Sequence, residues 1–402
     1  FWLKPFWLKR FRLKELRRVE GPVIDLHSCS MSRSTGQIDI IELRRLPLNF
    51  YALDLEQQWK ALAEVRAPAQ PDQTKRKACS MRWSEQLEAM LWMMLCLGLP
   101  LAIPFLTIAL FLTYLWALKY WVALLSILAL HPIAPYSLEA RRRRIGILMA
   151  RYFSCNVIID PQDSFLRRVG TPEVDKKEKP LPFVFLACPH GVLNFGATIW
   201  VYFERWLVGM EQYTAGVRAV RYVPGLRYFV QPLWFVDVGK ASLQRCLRER
   251  PTSTCLRGGS VGIVPDGIAG IFHSAPGKDT LHLGKKRGLM RLGLQEGCTF
   301  GAGWFAGTTD CFTIVQDPFG IMQRLSRKLS LSIFLFYGRW GLPIPRRSPT
   351  DVIMKVTTLQ KIDSPTDEQV EAAHIEVYGG LVKTFEELKR YAGLSDRTLV
   401  LK

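Results

Sequence analysis

The sequence predicts an α/β protein preceded by a transmembrane helical hairpin. Two observations carry this reading. Residues 91–130 form an apolar run whose one charge is Lys119, and behind it short apolar runs alternate with amphipathic stretches as far as the C-terminus.

The chain opens with near-repeats, Phe1-Trp2-Leu3-Lys4, Phe6-Trp7-Leu8-Lys9 and Phe11-Arg12-Leu13-Lys14. A period of five residues suits neither helix nor strand. The segment reads either as a basic, aromatic stretch lying on a membrane surface or as a leader fragment. Residues 66–80, with two prolines and Lys75-Arg76-Lys77, read as a linker. Residues 1–88 are therefore expected to be a basic, poorly ordered region, with Met81 a candidate alternative start. A chain beginning at Met81 is expected to keep its activity.

Residues 89–135 are expected to form the membrane-embedded hairpin. One bilayer crossing needs about 20 apolar residues, so the run suffices for two, joined near Lys119 or near Pro100 and Pro104. Lys75, Arg76, Lys77 and Arg82 precede it and Arg141 to Arg144 follow it. Basic flanks on both sides place both ends in the cytosol.

Residues 136–402 read as the α/β domain. Strands are expected at 183–187, 261–264, 299–306 and 351–358, and helices at 192–208, 286–295 and 368–391. In the last helix Thr366 and Gln369 form a capping box, and Val370, Val377, Leu381, Phe385 and Leu388 share one face.

The net charge of +19 fits a nucleic-acid binder, a protein on an anionic membrane face, or a binder of phosphorylated substrates. No zinc-finger or aromatic RNA-binding motif accompanies it, and the basic residues cluster beside the apolar run, so nucleic acid is not an expected partner. Nine cysteines without C-x-x-C and six histidines without H-x-x-x-H give neither a disulfide framework nor a metal site. A reducing, cytosol-facing compartment agrees with this.

The stretch richest in chemistry is Cys188-Pro189-His190-Gly191-Val-Leu-Asn194-Phe-Gly196-Ala197. An apolar strand ends at Pro189 and a helix begins after Gly191. A histidine there sits on rigid structure beside helix-terminal N–H groups that can hold a phosphate or a developing oxyanion. Its imidazole can take a proton from an alcohol near neutral pH. A competing pattern, Gly258-Gly-Ser260-Val-Gly262, fits the G-x-S-x-G elbow of serine lipases. That elbow needs a strand before the serine and a helix after it, and here the order is reversed.

Pro189-His190-Gly191 followed by Phe195-Gly196-Ala197 resembles the signature of the type-2 diacylglycerol acyltransferase family, usually His-Pro-His-Gly. Val264-Pro265-Asp266-Gly267-Ile-Ala-Gly270 is similar to that family's Pro-Gly-Gly block. Lys286-Arg287-Gly288-Leu-Met-Arg291-Leu resembles its Arg-Lys-Gly-Phe-x-Arg-Leu helix, and Gly338-Arg339-Trp-Gly-Leu-Pro343 its C-terminal segment. Three positions depart from the pattern. Cys188 stands for the first histidine, Asp266 for a glycine, and Asn194 where the wider glycerolipid acyltransferase group carries an aspartate that orients the histidine. The partner of His190 is thus left open.

The resemblance implies a glycerolipid-acyltransferase-like α/β domain with a mainly parallel central sheet. It implies transfer of an acyl chain from acyl-CoA, as co-substrate, to diacylglycerol, with His190 as general base and no cofactor or metal. Gly191, Asn194, Pro265, Asp266, Gly267, Lys286, Arg287 and Gly288 are the expected substrate-binding residues, with Lys286 and Arg287 on the CoA phosphates. Arg339, Arg346 and Arg347 are candidates for anionic headgroups. Expected partners are acyl-CoA, a neutral lipid acceptor, membrane lipid and a second copy of the chain. The expected location is the endoplasmic reticulum membrane, multi-pass with the catalytic domain cytosolic, or the lipid droplet. The alternatives are a monoacylglycerol or long-chain alcohol acceptor, a serine lipase using Ser260, and a non-catalytic lipid-droplet scaffold.

Overall fold

The computed structural model describes residues 37–71, 78–95, 99–131, 143–160, 162–173, 181–223, 227, 230, 234–251, 257–329 and 332–402. The aromatic repeats of residues 1–14, the basic cluster 75–77 and Arg141 and Arg142 lie outside them.

Nine strands form the main sheet: β1 (Asp39–Ile41), β2 (Arg66–Pro68), β3 (Asn156–Ile159), β4 (Phe183–Cys188), β5 (Glu211–Gly216), β6 (Phe235–Asp237), β7 (Arg257–Ile263), β9 (Thr299–Ala306) and β12 (Asp351–Thr358). Their order is β2-β1-β3-β12-β9-β4-β7-β5-β6. Pairing is parallel from β9 through β4, β7, β5 and β6, and between β3 and β12. It is antiparallel for β2–β1, β1–β3 and β12–β9. Apart from it lie two pairs, β8 (Asp279–Leu281) with β13 (Leu399–Leu401) and β10 (Thr313–Ile314) with β11 (Phe336–Tyr337).

β4 explains the depth of the sheet. All six of its residues are buried, as a near-continuous apolar run requires when both faces are covered. Phe183, Phe185 and Ala187 pack into one core, and Val184, Leu186 and Cys188 into the other. Phe185 stacks on Trp200 with ring centroids 4.3 Å apart.

The main helices are α1 (Leu55–Glu64), α2 (Trp83–Met93), α3 (Leu99–Thr113), α4 (Leu115–Leu130), α5 (Arg144–Tyr152), α6 (Phe195–Val208), α7 (Lys240–Arg248), α8 (Gly267–Phe272), α9 (Gly288–Glu296), α10 (Ile321–Leu329), α11 (Asp367–His374) and α12 (Gly380–Leu388). A π-helical turn, Ile375–Gly379, joins α11 to α12. The expected capping box of Thr366 and Gln369 is present, and Val370, Val377, Leu381, Phe385 and Leu388 are all buried.

Two expectations are corrected. The first is the transmembrane hairpin. Among the described residues no helix is long and apolar enough to cross a membrane. The apolar run breaks at Tyr114, whose φ of −137° and ψ of 66° end helical geometry, leaving α3 with 15 residues and α4 with 16. At 1.5 Å per residue these rise about 22 and 24 Å, short of a hydrocarbon core of about 30 Å. The break lies neither at Lys119 nor at the prolines. Trp121 donates to Thr107 Oγ1 (2.8 Å) between the two helices, and Arg227 donates to the Leu128 carbonyl (2.7 Å).

The second correction concerns residues 37–71, expected to be poorly ordered. They supply β1, α1 and β2, and β1 pairs with β3 across a long sequence separation. Asp54 and Gln57 form a capping box on α1. Ile41, Leu43, Leu46, Phe50 and Leu62 have 0–1 % exposure, so this segment is core.

Candidate active site

β9, β4 and β7 are neighbours running in the same direction, so the loops after them emerge at one edge of the sheet. That edge, outside the carboxyl ends of parallel strands, is where open α/β sheets place ligands. The loop after β4 carries His190, the turn after β7 carries Asp266, and Gly307 to Asp310 follow β9.

His190 is half-buried between β4 and α6. Its Nδ1 lies 3.1 Å from the Gly191 carbonyl oxygen, a contact that assigns the proton to Nδ1 and leaves Nε2 as the basic nitrogen. Burial pushes its pKa below 6.5, against smaller upward pulls from backbone hydrogen bonds. The ring is therefore neutral and able to accept a proton near neutral pH. Gly191 adopts φ of +60°, and a Cβ there would come within 3.1 Å of Thr308 Cγ2. The turn that presents His190 thus favours glycine twice, by conformation and by space.

Asn194 caps α6. Its Oδ1 accepts from the Ala197 N–H (2.7 Å), and its Nδ2 donates to the carbonyls of Pro189 (3.0 Å) and Ala187 (3.2 Å). The amide expected to bind substrate clamps strand end, loop and helix around His190.

Asp266 is fully buried. Its Oδ2 accepts the His190 backbone N–H at 3.1 Å, so it holds the main chain of the histidine and not its ring. Oδ1 has no hydrogen-bond partner among the described residues. Burial raises its pKa to about 7, against smaller lowering effects that include Lys286. A Cβ at Gly270 would run into this carboxylate, so glycine one turn along α8 makes its room. This carboxylate, one of the expected substrate-binding groups, is thus turned inward.

That burial has a consequence with a definite sign. The folded-state pKa of about 7 lies above the ordinary 3.8, so the folded chain holds this proton more tightly. The contribution to stability is full below about pH 4 and is lost as pH rises to about 7. Asp266→Asn is expected to be the more stable protein above pH 7, by up to roughly 4 kcal/mol, with the gap closing toward pH 4. Paired thermal melts across that range check it; a gap independent of pH refutes it.

Pro265 and Gly267 flank Asp266 in the turn. Lys286 is exposed and close enough to Asp266 to lower its pKa. The Arg287 guanidinium forks onto Glu371 (Nη2 to Oε1 3.1 Å). Gly288 begins α9, with open space where a side chain would be. Arg339 stacks on Trp340 (4.1 Å), Arg346 donates to Thr313 Oγ1 (3.0 Å), and Arg347 donates to the Cys79 carbonyl.

Ser260 does not form a nucleophile elbow. It lies inside β7, fully buried, with its hydroxyl on the Glu211 carbonyl. Cys188 is also fully buried, and burial pushes its thiol well above the ordinary value, so no thiolate competes with His190.

Sequence reasoning missed three residues here. Thr308 and Thr309 carry buried hydroxyls without a hydrogen-bond partner among the described residues, and Thr308 abuts Gly191. Tyr378 sits in the π turn; its pKa is raised first by burial and then by Cys188 and Asp266. A π turn is frequent at functional sites, but no residue in 375–379 announces one.

A neutral histidine with a free Nε2, a clamped strand-to-helix loop and helix-terminal N–H groups together make a site suited to acyl transfer. The sequence model of the family described as diacylglycerol acyltransferase matches residues 111–402, and the chain belongs to that family. It is an acyltransferase. Acyl-CoA wax alcohol acyltransferase 2 of Mus musculus is 28% identical over 248 residues, covering 58% of this chain and 72% of the relative. The Homo sapiens protein of the same name is 26% identical over 230 residues, covering 53% and 68%. Diacylglycerol O-acyltransferase 2 of Xenopus tropicalis is 24% identical over 236 residues, covering 54% and 64%. No solved structure matches.

Proposed function

We propose that this chain esterifies the hydroxyl of a neutral lipid, diacylglycerol, with the fatty acyl group of acyl-CoA, and that His190 is the general base. The observation that carries the reading is the Nδ1 contact to the Gly191 carbonyl, which leaves Nε2 as the proton acceptor. Nε2 takes the proton of the acceptor hydroxyl as its oxygen attacks the thioester carbonyl. The N–H groups around Gly191 and Val192 steady the oxyanion. Collapse breaks the C–S bond, and the imidazolium returns its proton to the departing thiolate of CoA. The missing aspartate is consistent with this, since a backbone carbonyl can orient the ring.

A long-chain alcohol is the second acceptor to weigh, because two of the relatives are named for wax alcohols. The proposed place of action is the cytosolic face of the endoplasmic reticulum. The exposed Leu106, Ile108, Phe111, Leu112, Leu115 and Trp116 of α3 and α4 support contact with an apolar phase.

Labelled acyl-CoA supplied with diacylglycerol, monoacylglycerol or a long-chain alcohol tests the acceptor. Triacylglycerol is expected as the main product; wax ester as the main product overturns that choice. Because burial lowers the His190 pKa, the acid limb of kcat/KM is expected below pH 6.5. An acid limb above 6.5 contradicts His190 as the base in this environment.

A further inference from the structure

A cluster of basic side chains lies one helix length from the site. His273 ends α8 and stacks on His282, ring centroids 4.4 Å apart at an interplanar angle of 25°. The parallel register Leu401↔Leu281 sets Lys402 beside His282, and the Lys402 carbonyl accepts the N–H groups of Leu283 (2.7 Å) and Gly284 (3.0 Å). Arg327 on α10 lies near enough to His273 to push its pKa down, and Phe334, beyond α10, packs edge-on against Phe272 of α8. None of the four basic groups pairs with a carboxylate among the described residues. Elsewhere the same fold pairs its arginines, as Arg397 with Asp279 and Asp310 and Arg287 with Glu371.

Two imidazoles in contact, flanked by a lysine and an arginine, repel one another whenever either ring is protonated. Burial and these neighbours push His282 down to about 4, and His273 down as well. A bound anion reverses that balance: Arg327 and Lys402 attract it, and its charge favours protonation of the two imidazoles.

We infer that His273, His282, Arg327 and Lys402 form a binding site for a phosphate-bearing group, and that its occupant is the phosphorylated nucleotide end of the acyl donor. The inference rests on acyl-CoA as that donor. Two stretches of chain connect the cluster to the reacting centre. With its caps α8 spans Asp266 to His273, a rise of about 10 Å, and the loop from His282 leads to Lys286, which is near enough to Asp266 to lower its pKa. Pantetheine is longer than an extended tripeptide, roughly 10 Å, which matches the rise of α8 from the turn that holds the His190 main chain. The anionic end thus docks apart from the buried carboxyl of Asp266.

The test compares two donors on the full chain: acyl-CoA and the matching acyl-pantetheine, which lacks the nucleotide. In His273→Asn/His282→Asn and in Arg327→Gln, with melting temperatures unchanged, KM for acyl-CoA is expected to rise roughly tenfold, a loss of about 1.4 kcal/mol. kcat, and KM for acyl-pantetheine, should stay at the wild-type value. Adenosine 3′,5′-bisphosphate should inhibit wild type competitively and the variants more weakly. An unchanged KM for acyl-CoA in both variants overturns the site. Loss of binding to phosphatidic acid vesicles with KM unaltered assigns the site to a lipid headgroup and overturns the donor assignment. Absence of transfer from either donor would instead defeat the acyl-CoA reading. Direct binding of adenosine 3′,5′-bisphosphate to wild type and variants then decides the site alone: equal binding overturns it, and weaker binding by the variants upholds it.

Discussion

His190→Ala is expected to lower acyl transfer by roughly 10²- to 10⁴-fold, with protein level and melting temperature close to wild type. The imidazole contributes little to packing, since it is half-buried and its hydrogen bond runs to the adjacent Gly191 carbonyl. Its main chain stays anchored by Asp266 whatever the side chain, so the loop should keep its shape. The loss should therefore fall on kcat more than on KM. His190→Gln supplies a contrast, because it restores a polar group without a titrating nitrogen and should be equally inactive. Full activity in either variant would remove the general-base mechanism.

The other large effect concerns the start of the chain. A protein beginning at Met81 is expected not to fold, which reverses the expectation drawn from sequence. The deletion strips β1 and β2 from one end of the sheet and exposes β3 along its β1-facing side. It also removes Ile41, Leu43, Leu46, Phe50, Trp59, Leu62 and Val65, all with 8 % exposure or less. At about 1.5–3 kcal/mol for each buried side chain, the loss exceeds 10 kcal/mol, comparable to the whole stability of an ordinary domain. Trp206 would lose Gln58 as the acceptor for its indole N–H (3.2 Å). Expression of the truncated chain, followed by limited proteolysis and a melting curve, gives the answer. A cooperative melt at the wild-type temperature would falsify the claim that this segment is core.

Cys188 carries a smaller lesson of the same kind. Read from sequence, Cys188→His restores the family tetrapeptide and should be tolerated. In the fold the thiol is fully buried among Leu186, Trp304 and their neighbours, so a larger polar ring would overpack the site.

What the sequence determined was whatever depends on local periodicity. The strands Thr299–Ala306 and Asp351–Thr358 fall at their expected bounds, because apolar runs ended by turn residues are legible without knowledge of partners. The buried face of the C-terminal helices and the capping box at Thr366 follow from helical spacing in the same way. His190 stood out because a strand end, a glycine and a helix start adjoin it in the chain. Tertiary structure decided the rest. β1 has three residues, and its partner β3 lies more than a hundred positions away, so no window of sequence contains the pair. Apolarity at 91–130 was visible, but the break at Tyr114 was not, since neither proline nor glycine marks it and conformation there sets helix length. The same limit hid the role of Asp266. A carboxylate is ordinarily charged and exposed, and only the closing of β7 against β4 buries this one, raises its pKa, and turns it onto the backbone of His190.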